Sequence, residues 1–244
     1  MAKGSNNNTP LKTFLQKLWK WTKRIFLWVF IFQLFYIILL KWVNPPITIT
    51  QLVSWVSGHG LKRDYVGRNS ISPNGRLAVI ASEDQLFPDH NGFDWKSIKK
   101  AMKYNEKKPG RIRGGSTISQ QVAKNVFLWQ GRSWIRKGLE TYFTFMIELL
   151  WGKKRIMELY LNVIEMGDGI FGIEMAANKY YNKPAKNLSK QEAAMIAACL
   201  PNPKRYKVKP PSSFVAARSR VIMQQMSNLQ TDADIQRIVG KLPP

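Results

Sequence analysis

Apolar and polar positions follow two regimes along the 244-residue chain. From Ile25 to Leu40 the run IFLWVFIFQLFYIILL carries no charge. From Arg76 onward apolar residues recur three and four apart, the period of helices that bury one face. The uncharged run is slightly short of the ~20 residues that cross a bilayer core. Trp19, Trp21, Trp28 and Trp42 extend it with interfacial aromatics, and the long side chains of Lys23, Arg24 and Lys41 can reach the headgroups. The pattern predicts a membrane helix from about Trp21 to Val43, stopped by Pro45–Pro46. A cleaved signal peptide fits less well: the run is long for one, and VNPPIT lacks a small-residue cleavage site. The expected division is a basic tail 1–24, an anchor 25–43, a linker 44–75 and a helical domain 76–244.

Within that domain, Leu77, Val79 and Ile80 predict a short apolar helix ending in Ser82–Glu83–Asp84. Asp94 reads as an N-cap for WKSIKKAMKYN. Helices are expected over Ser116–Leu128, Ser133–Trp151, Lys153–Met166, Phe171–Tyr181, Ser189–Leu200 and Ser212–Leu229, the fifth opened by the capping box Ser189-Lys-Gln-Glu192. Gly58–His59–Gly60 and Ser72–Pro73–Asn74–Gly75 read as turns, and Lys107 to Gly115 as a basic Pro/Gly loop. No run alternates with period 2, so the fold class is mainly α. Phe127, Leu128, Trp129, Trp134, Tyr142, Phe143 and Phe145 are expected mostly in the core, some of them dipping into a bilayer.

Charge then narrows the function. The chain holds 38 Lys+Arg and 15 Asp+Glu, a net +23. Seven of the cations, and no acid, lie in residues 1–41, which leaves 31 against 15, or +16, for the remainder. Six cations before the apolar run and one just after it predict a cytoplasmic N-terminus and an exported domain. Nucleic acid is therefore not an expected partner, although +23 alone suggests it. One cysteine, Cys199, excludes a disulfide framework, and it reads as a small core hydrophobe. No GxxxxGK[ST] loop occurs.

Acids are scarce, so their placement is informative. Glu83, Asp84, Asp89 and Asp94 fall together in EDQLFPDHNGFD. A carboxylate at the end of an apolar helix is either a surface cap or a desolvated general acid or base. In GGSTISQQVAKN, two glycines before Ser116 and Thr117 suggest a helix with free first-turn amides, an anion site. Thr117, Gln120, Gln121 and Lys124 share one face of that helix. Arg132, Arg136 and Glu140 recur at i, i+4 and i+8, an intrahelical ladder.

The ordered series EDQLFPDHNGFD, RGGSTISQQVAKN, RKGLE, LYLNVIEMGDGIFGIEMAA and AACLPNP resembles the motifs of the family 51 glycosyltransferases, the peptidoglycan polymerases. The likeness runs from about Leu77 to Tyr206, with no further catalytic domain after it, as in the monofunctional, membrane-anchored members. It implies a lysozyme-like fold. It implies inverting transfer of a lipid-linked glycan chain onto the GlcNAc 4-hydroxyl of lipid II, with undecaprenyl pyrophosphate released. Glu83 then matches the general base, with Asp84, Phe87 and His90 on the same wall. Thr117, Gln121 and Lys124 match the donor site, with Lys124, Arg132 and Arg136 as the pyrophosphate cations, and Ser116, Gln120, Asn125 and Lys137 match further substrate-binding positions. Glu140 matches the second essential carboxylate, which positions the leaving group or holds a pyrophosphate-bound divalent cation such as Mg²⁺; no organic cofactor is implied. Asn162 and Glu165 match a structural motif. The implied partners are lipid II, the lipid-linked glycan, the bacterial inner membrane and other cell-wall synthesis or division proteins. A lytic enzyme that cleaves glycan strands is the rival reading. It needs a carboxylic acid and has little use for three cations beside a leaving group.

Overall fold

The computed structural model describes residues 10–108, 114–131 and 133–241, in two units, 1–43 and 44–244. The first unit is helix α1 (Pro10–Leu39). It starts well before Trp21, because Pro10 suits the first helical position and LKTFLQKLWK holds no glycine or proline. It ends at Leu39 rather than Val43, where Lys41 N donates to Ile38 O and Trp42 N to Leu39 O, both at 3.1 Å, closing a tight turn. α1 is long and apolar enough to cross a membrane, with a mean hydropathy of 1.7. Lys23 stands 5.0 Å from the Trp19 ring centre and Arg24 5.8 Å from that of Trp21.

The second unit begins with α2 (Ile49–Val56), inside the stretch read as a linker. Its start is a reciprocal cap between Thr48 and Gln51, a signal present in the sequence. After β1 (Lys62–Arg63) comes α3 (Pro73–Glu83). Ser72–Pro73–Asn74–Gly75, read as a separate turn, is its cap and first helical turn: Ser72 accepts from Asn74 N, and Pro73 occupies the first helical position. A side chain on Gly75 would lie 2.6 Å from Ile173 Cδ1, so the glycine admits close helix packing. Then follow α4 (Trp95–Lys107), capped by Asp94 as expected, α5 (Ile118–Phe127), α6 (Trp134–Leu150) and α7 (Lys153–Val163).

The predicted helices Lys153–Met166 and Phe171–Tyr181 are shortened by β2 (Glu165–Gly167) and β3 (Ile170–Phe171), joined through Asp168–Gly169. In the resulting small sheet β3 lies between antiparallel β2 and parallel β1. These strands are too short to show alternation; only the Asp-Gly pair marks the hairpin. The chain continues through α8 (Ile173–Tyr181), α9 (Lys190–Cys199), α10 (Ser213–Leu229) and α11 (Ala233–Val239).

α3 and α9 form the centre. Leu77, Ala78, Val79 and Ile80 of α3 are buried, as are Ala193, Ala194, Ile196, Ala197, Ala198 and Cys199 of α9. α10 packs on both, and α5 packs on α6 and α7. The aromatic core expectation holds only in part. Leu128 is buried and Phe127 stacks on Phe143 at 4.6 Å. Trp134 is 92% exposed, however, and Trp129 and Phe145 are exposed too. The reason lies in α6, which buries one stripe, Arg136, Glu140, Thr144 and Ile147, and turns its apolar remainder outward.

Candidate active site

Glu83 ends α3, its side chain 14% exposed. Its Oε2 accepts from Gln121 Nε2 at 2.9 Å. The Tyr160 phenol donates to Gln121 Oε1 at 3.3 Å, which turns the amide nitrogen toward Glu83. Burial pushes the Tyr160 phenol well up, with the charges of Glu83 and Asp84 acting the same way, so it remains a donor. Desolvation raises the Glu83 carboxyl above the usual range; Gln121 and Arg218 oppose this, and Asp84 adds to it. A carboxylate with a raised pKa suits proton abstraction near neutral pH.

Asp84 overturns one expectation. In the first turn of α5 the Ile118 and Gln120 amides are already taken. Ile118 N donates to Asp84 Oδ2 at 3.0 Å, and Thr117 and Gln120 cap each other, backbone N–H to side-chain oxygen, in both directions. The anion at this helix start is the protein's own carboxylate. His90 Nε2 lies 2.9 and 3.1 Å from the two Asp84 oxygens. His90 Nδ1 accepts from Gly92 N at 3.2 Å, so the ring proton sits on Nε2 and is donated to Asp84. Thr117 Oγ1 donates to Gly92 O at 2.7 Å. Gly92 has φ 88°, and a side chain there would meet Thr144 Cγ2 at 2.7 Å.

Phe87 is fully buried, with Lys153 Nζ 4.5 Å from its ring centre. Asp84, Phe87, His90, Thr117 and Gln120, expected at the substrate, are thus committed to one another or to the core. They build the wall that carries Glu83. Ser116 is exposed ahead of α5. Sequence reasoning missed the brace behind this wall: Lys153 donates to His90 O and to Glu148 at 2.7 Å, and Glu148 accepts from Ser119. No local pattern joins those three residues.

The cations form a second group. Glu140 is nearly buried; its Oε2 accepts from Arg136 Nη1 at 2.6 Å, and Lys137 holds Oε1. Burial lowers the Lys124 pKa; Glu140 opposes that, and Arg136 and Lys137 reinforce it. Three cations therefore surround one carboxylate. Arg136 is 10% exposed and bound to Glu140, whereas Lys137 is 42% exposed. Lys137 is the open member of the group, and Lys124 lines a neighbouring cleft. Arg132 lies outside the described residues, as do 109–113 of the expected basic loop.

A cleft of about 410 Å³ adjoins Gln121, Lys124 and Asn125, with Gln130, Glu165 and Lys204 on its walls. Asn125 Nδ2 donates to Gln121 O at 2.8 Å, and Asn125 Oδ1 accepts from Gln130 Nε2 at 3.3 Å. Glu83 does not line the cleft; Gln121 does, and it touches Glu83. Gln121 and Lys124 are three residues apart on α5, a rise of roughly 4.5 Å. One helix thus carries both the partner of Glu83 and the edge of the cation group.

Comparisons with known proteins give the family. A family model described as Transglycosylase matches residues 50–227. The chain belongs to the transglycosylase family. It is 48% identical over 222 residues to a biosynthetic peptidoglycan transglycosylase of Yersinia pseudotuberculosis, covering 88% of this chain and 92% of that one. Proteins of the same name from Shigella boydii and Mannheimia succiniciproducens are 54% and 58% identical, over 73% and 68% of this chain and 75% and 68% of theirs.

In this transglycosylase, Asn162 holds both the N–H and the C=O of Val66, at 2.9 and 3.0 Å, a structural role. Glu165 lines the cleft, and burial raises its carboxyl. The divalent ion expected at Glu140 would draw its other ligands from the pyrophosphate; in this structure both Glu140 oxygens are held by Arg136 and Lys137, and among the described residues no group of three His, Cys, Asp or Glu could hold a metal by itself.

Proposed function

We propose that this transglycosylase polymerises peptidoglycan glycan strands. It joins a lipid-linked glycan chain to the GlcNAc 4-hydroxyl of lipid II, with inversion at MurNAc C1, and releases undecaprenyl pyrophosphate. The observation that carries this reading is the separation of roles along α5: one desolvated carboxylate, Glu83, on Gln121, and a net-positive group beginning at Lys124. As the 4-hydroxyl oxygen bonds to C1, its proton passes to Glu83. The C1–oxygen bond to the pyrophosphate breaks, and that electron pair leaves with the phosphate. Lys124 and Lys137 stabilise the charge that grows there, and Arg136 holds Glu140 in place. No step is routed through a metal ion.

Glycan hydrolysis uses a carboxylic acid to protonate its leaving oxygen and has no comparable role for a cation group. We further propose that α1 anchors the chain in the bacterial inner membrane with its N-terminus in the cytoplasm, the catalytic unit working on the periplasmic side. The cation asymmetry supports this. The outward apolar face of α6, with Trp134, Ile135, Phe145 and Leu149 exposed, suits contact with the lipid surface that carries the substrate.

The decisive experiment is lipid II polymerisation by Glu83→Gln. That change keeps the size and the hydrogen bond but not the proton acceptor. The rate is expected to fall by about 10²–10⁴. A folded Glu83→Gln protein that polymerises at close to the wild-type rate would refute the assignment.

A further inference from the structure

α10 brings to the proposed base a charged side chain that belongs to none of the five sequence motifs. Arg218 Nη2 stands 3.7 Å from Glu83 Oε1, the guanidinium 31% exposed and the carboxylate 14%. Gln121 donates to the other oxygen from α5, so the carboxylate has a hydrogen bond from one helix and a cation at ion-pair distance from another. Arg218 Nε is buried with no hydrogen-bond partner. The contrast with Arg76 is informative. Arg76 gives its N–H groups to the carbonyls of Val239, Arg68 and Ile71 and so serves the fold.

We propose that Arg218 is a positioning residue for Glu83: it fixes Oε1 and keeps the carboxylate ionised until the acceptor hydroxyl delivers its proton. This rests on the reading of Glu83 as the base. The surroundings leave Arg218 that task. On α3's own end, Asp84 is the one anion acting on Glu83, and its oxygens are already occupied by His90 and the Ile118 amide. α5 offers a neutral amide, Gln121, and α7 a protonated phenol, Tyr160. α9 offers the Cys199 thiol, which burial pushes up to about 11 and so leaves neutral. α11 meets α3 at Arg76, through the Val239 carbonyl. Among the described residues, Arg218 is the cation whose charge favours the ionised Glu83.

The proton balance follows. Before transfer the pair is Glu83⁻ and Arg218⁺. After transfer Glu83 is neutral and Arg218 is unchanged, so no further group need move a proton. Removing the cation raises the Glu83 pKa, and the base is then protonated over a wider range of acidic pH. The acidic limb of the rate profile moves up accordingly. About one pH unit is expected, the low end for a carboxylate beside Arg, because the guanidinium is partly in solvent.

The test is the initial rate of lipid II polymerisation by the full chain from pH 5 to 9, for wild type, Arg218→Gln and Arg218→Lys, with thermal unfolding in parallel. Arg218→Gln should be impaired at low pH and recover toward wild type at high pH. Arg218→Lys, which keeps the charge but moves it, should fall between them; it carries the test alone if the Gln variant does not fold. An unmoved acidic limb with the rate lowered equally at every pH would show that Arg218 serves only packing. If Arg218→Gln leaves the limb in place while Glu83→Gln is inactive, the positioning role falls and the base assignment stands. If Glu83→Gln stays active, the base assignment itself falls.

Discussion

Asp84 and Asp94 both accept from a backbone amide in the first turn of a helix, but they should behave very differently when removed. Asp84 is 3% exposed and receives the His90 ring N–H and the Ile118 amide. Asp94 receives the Ser97 amide at 2.9 Å in an exposed setting. Asp84→Ala leaves two buried donors without an acceptor and removes charge-assisted bonds, a loss of about 3–5 kcal/mol. Asp94→Ala loses an exposed cap, about 1 kcal/mol. For a unit of this size 1 kcal/mol corresponds to roughly 2–4 °C in Tm, so the expected drops are roughly 6–20 °C and 2–4 °C. Asp84→Asn, which keeps one carbonyl oxygen, should fall between them. The assay is scanning fluorimetry of the full chain in detergent. A double change of Asp84 and His90 to Ala should show a coupling of about 0.5–3 kcal/mol. An Asp84→Ala drop no larger than that of Asp94→Ala, or no coupling to His90, would refute the account of this wall.

Further expectations follow from the same geometry. The raised pKa of Glu83 means that the folded state holds that proton more tightly than the unfolded chain. Its contribution to stability is fully present below the unfolded value of ~4.3 and is lost as pH rises through the raised folded value. Glu83→Gln should therefore raise Tm near pH 8 and leave it almost unchanged near pH 4; a gain that ignores pH would contradict this. Arg136→Ala removes the buried partner of Glu140 and should cost about 3–5 kcal/mol, seen in chemical denaturation. Lys137→Ala, more exposed, should cost about 1 kcal/mol or less yet slow polymerisation. A wild-type rate for Lys137→Ala would remove it from the leaving-group site. A reporter active only outside the cytoplasm, fused after Pro244, should be active, and an inactive one would reverse the topology.

The sequence by itself determined the helical character, the apolar N-terminal segment, the five motifs and the caps at Asp94 and Ser189, because these depend on neighbours in the chain. The resemblance carried by those motifs pointed to Glu83 and Glu140 as the two carboxylates of interest. It did not reveal the hairpin at Glu165–Phe171, whose strands are shorter than one alternation can show. Nor did it reveal α2, although the Thr48–Gln51 cap was there to be read. Tertiary structure decided which polar residues are internal. Thr117 and Gln120 look like a ligand-binding face along α5, yet they spend their hydrogen bonds on each other and on Gly92. The anion expected from outside at that helix start is Asp84, 34 residues earlier in the chain. Arg218 reaches Glu83 only because α10 packs across α3. Burial, pKa and partnership are set by groups distant in sequence, and no local spacing encodes them.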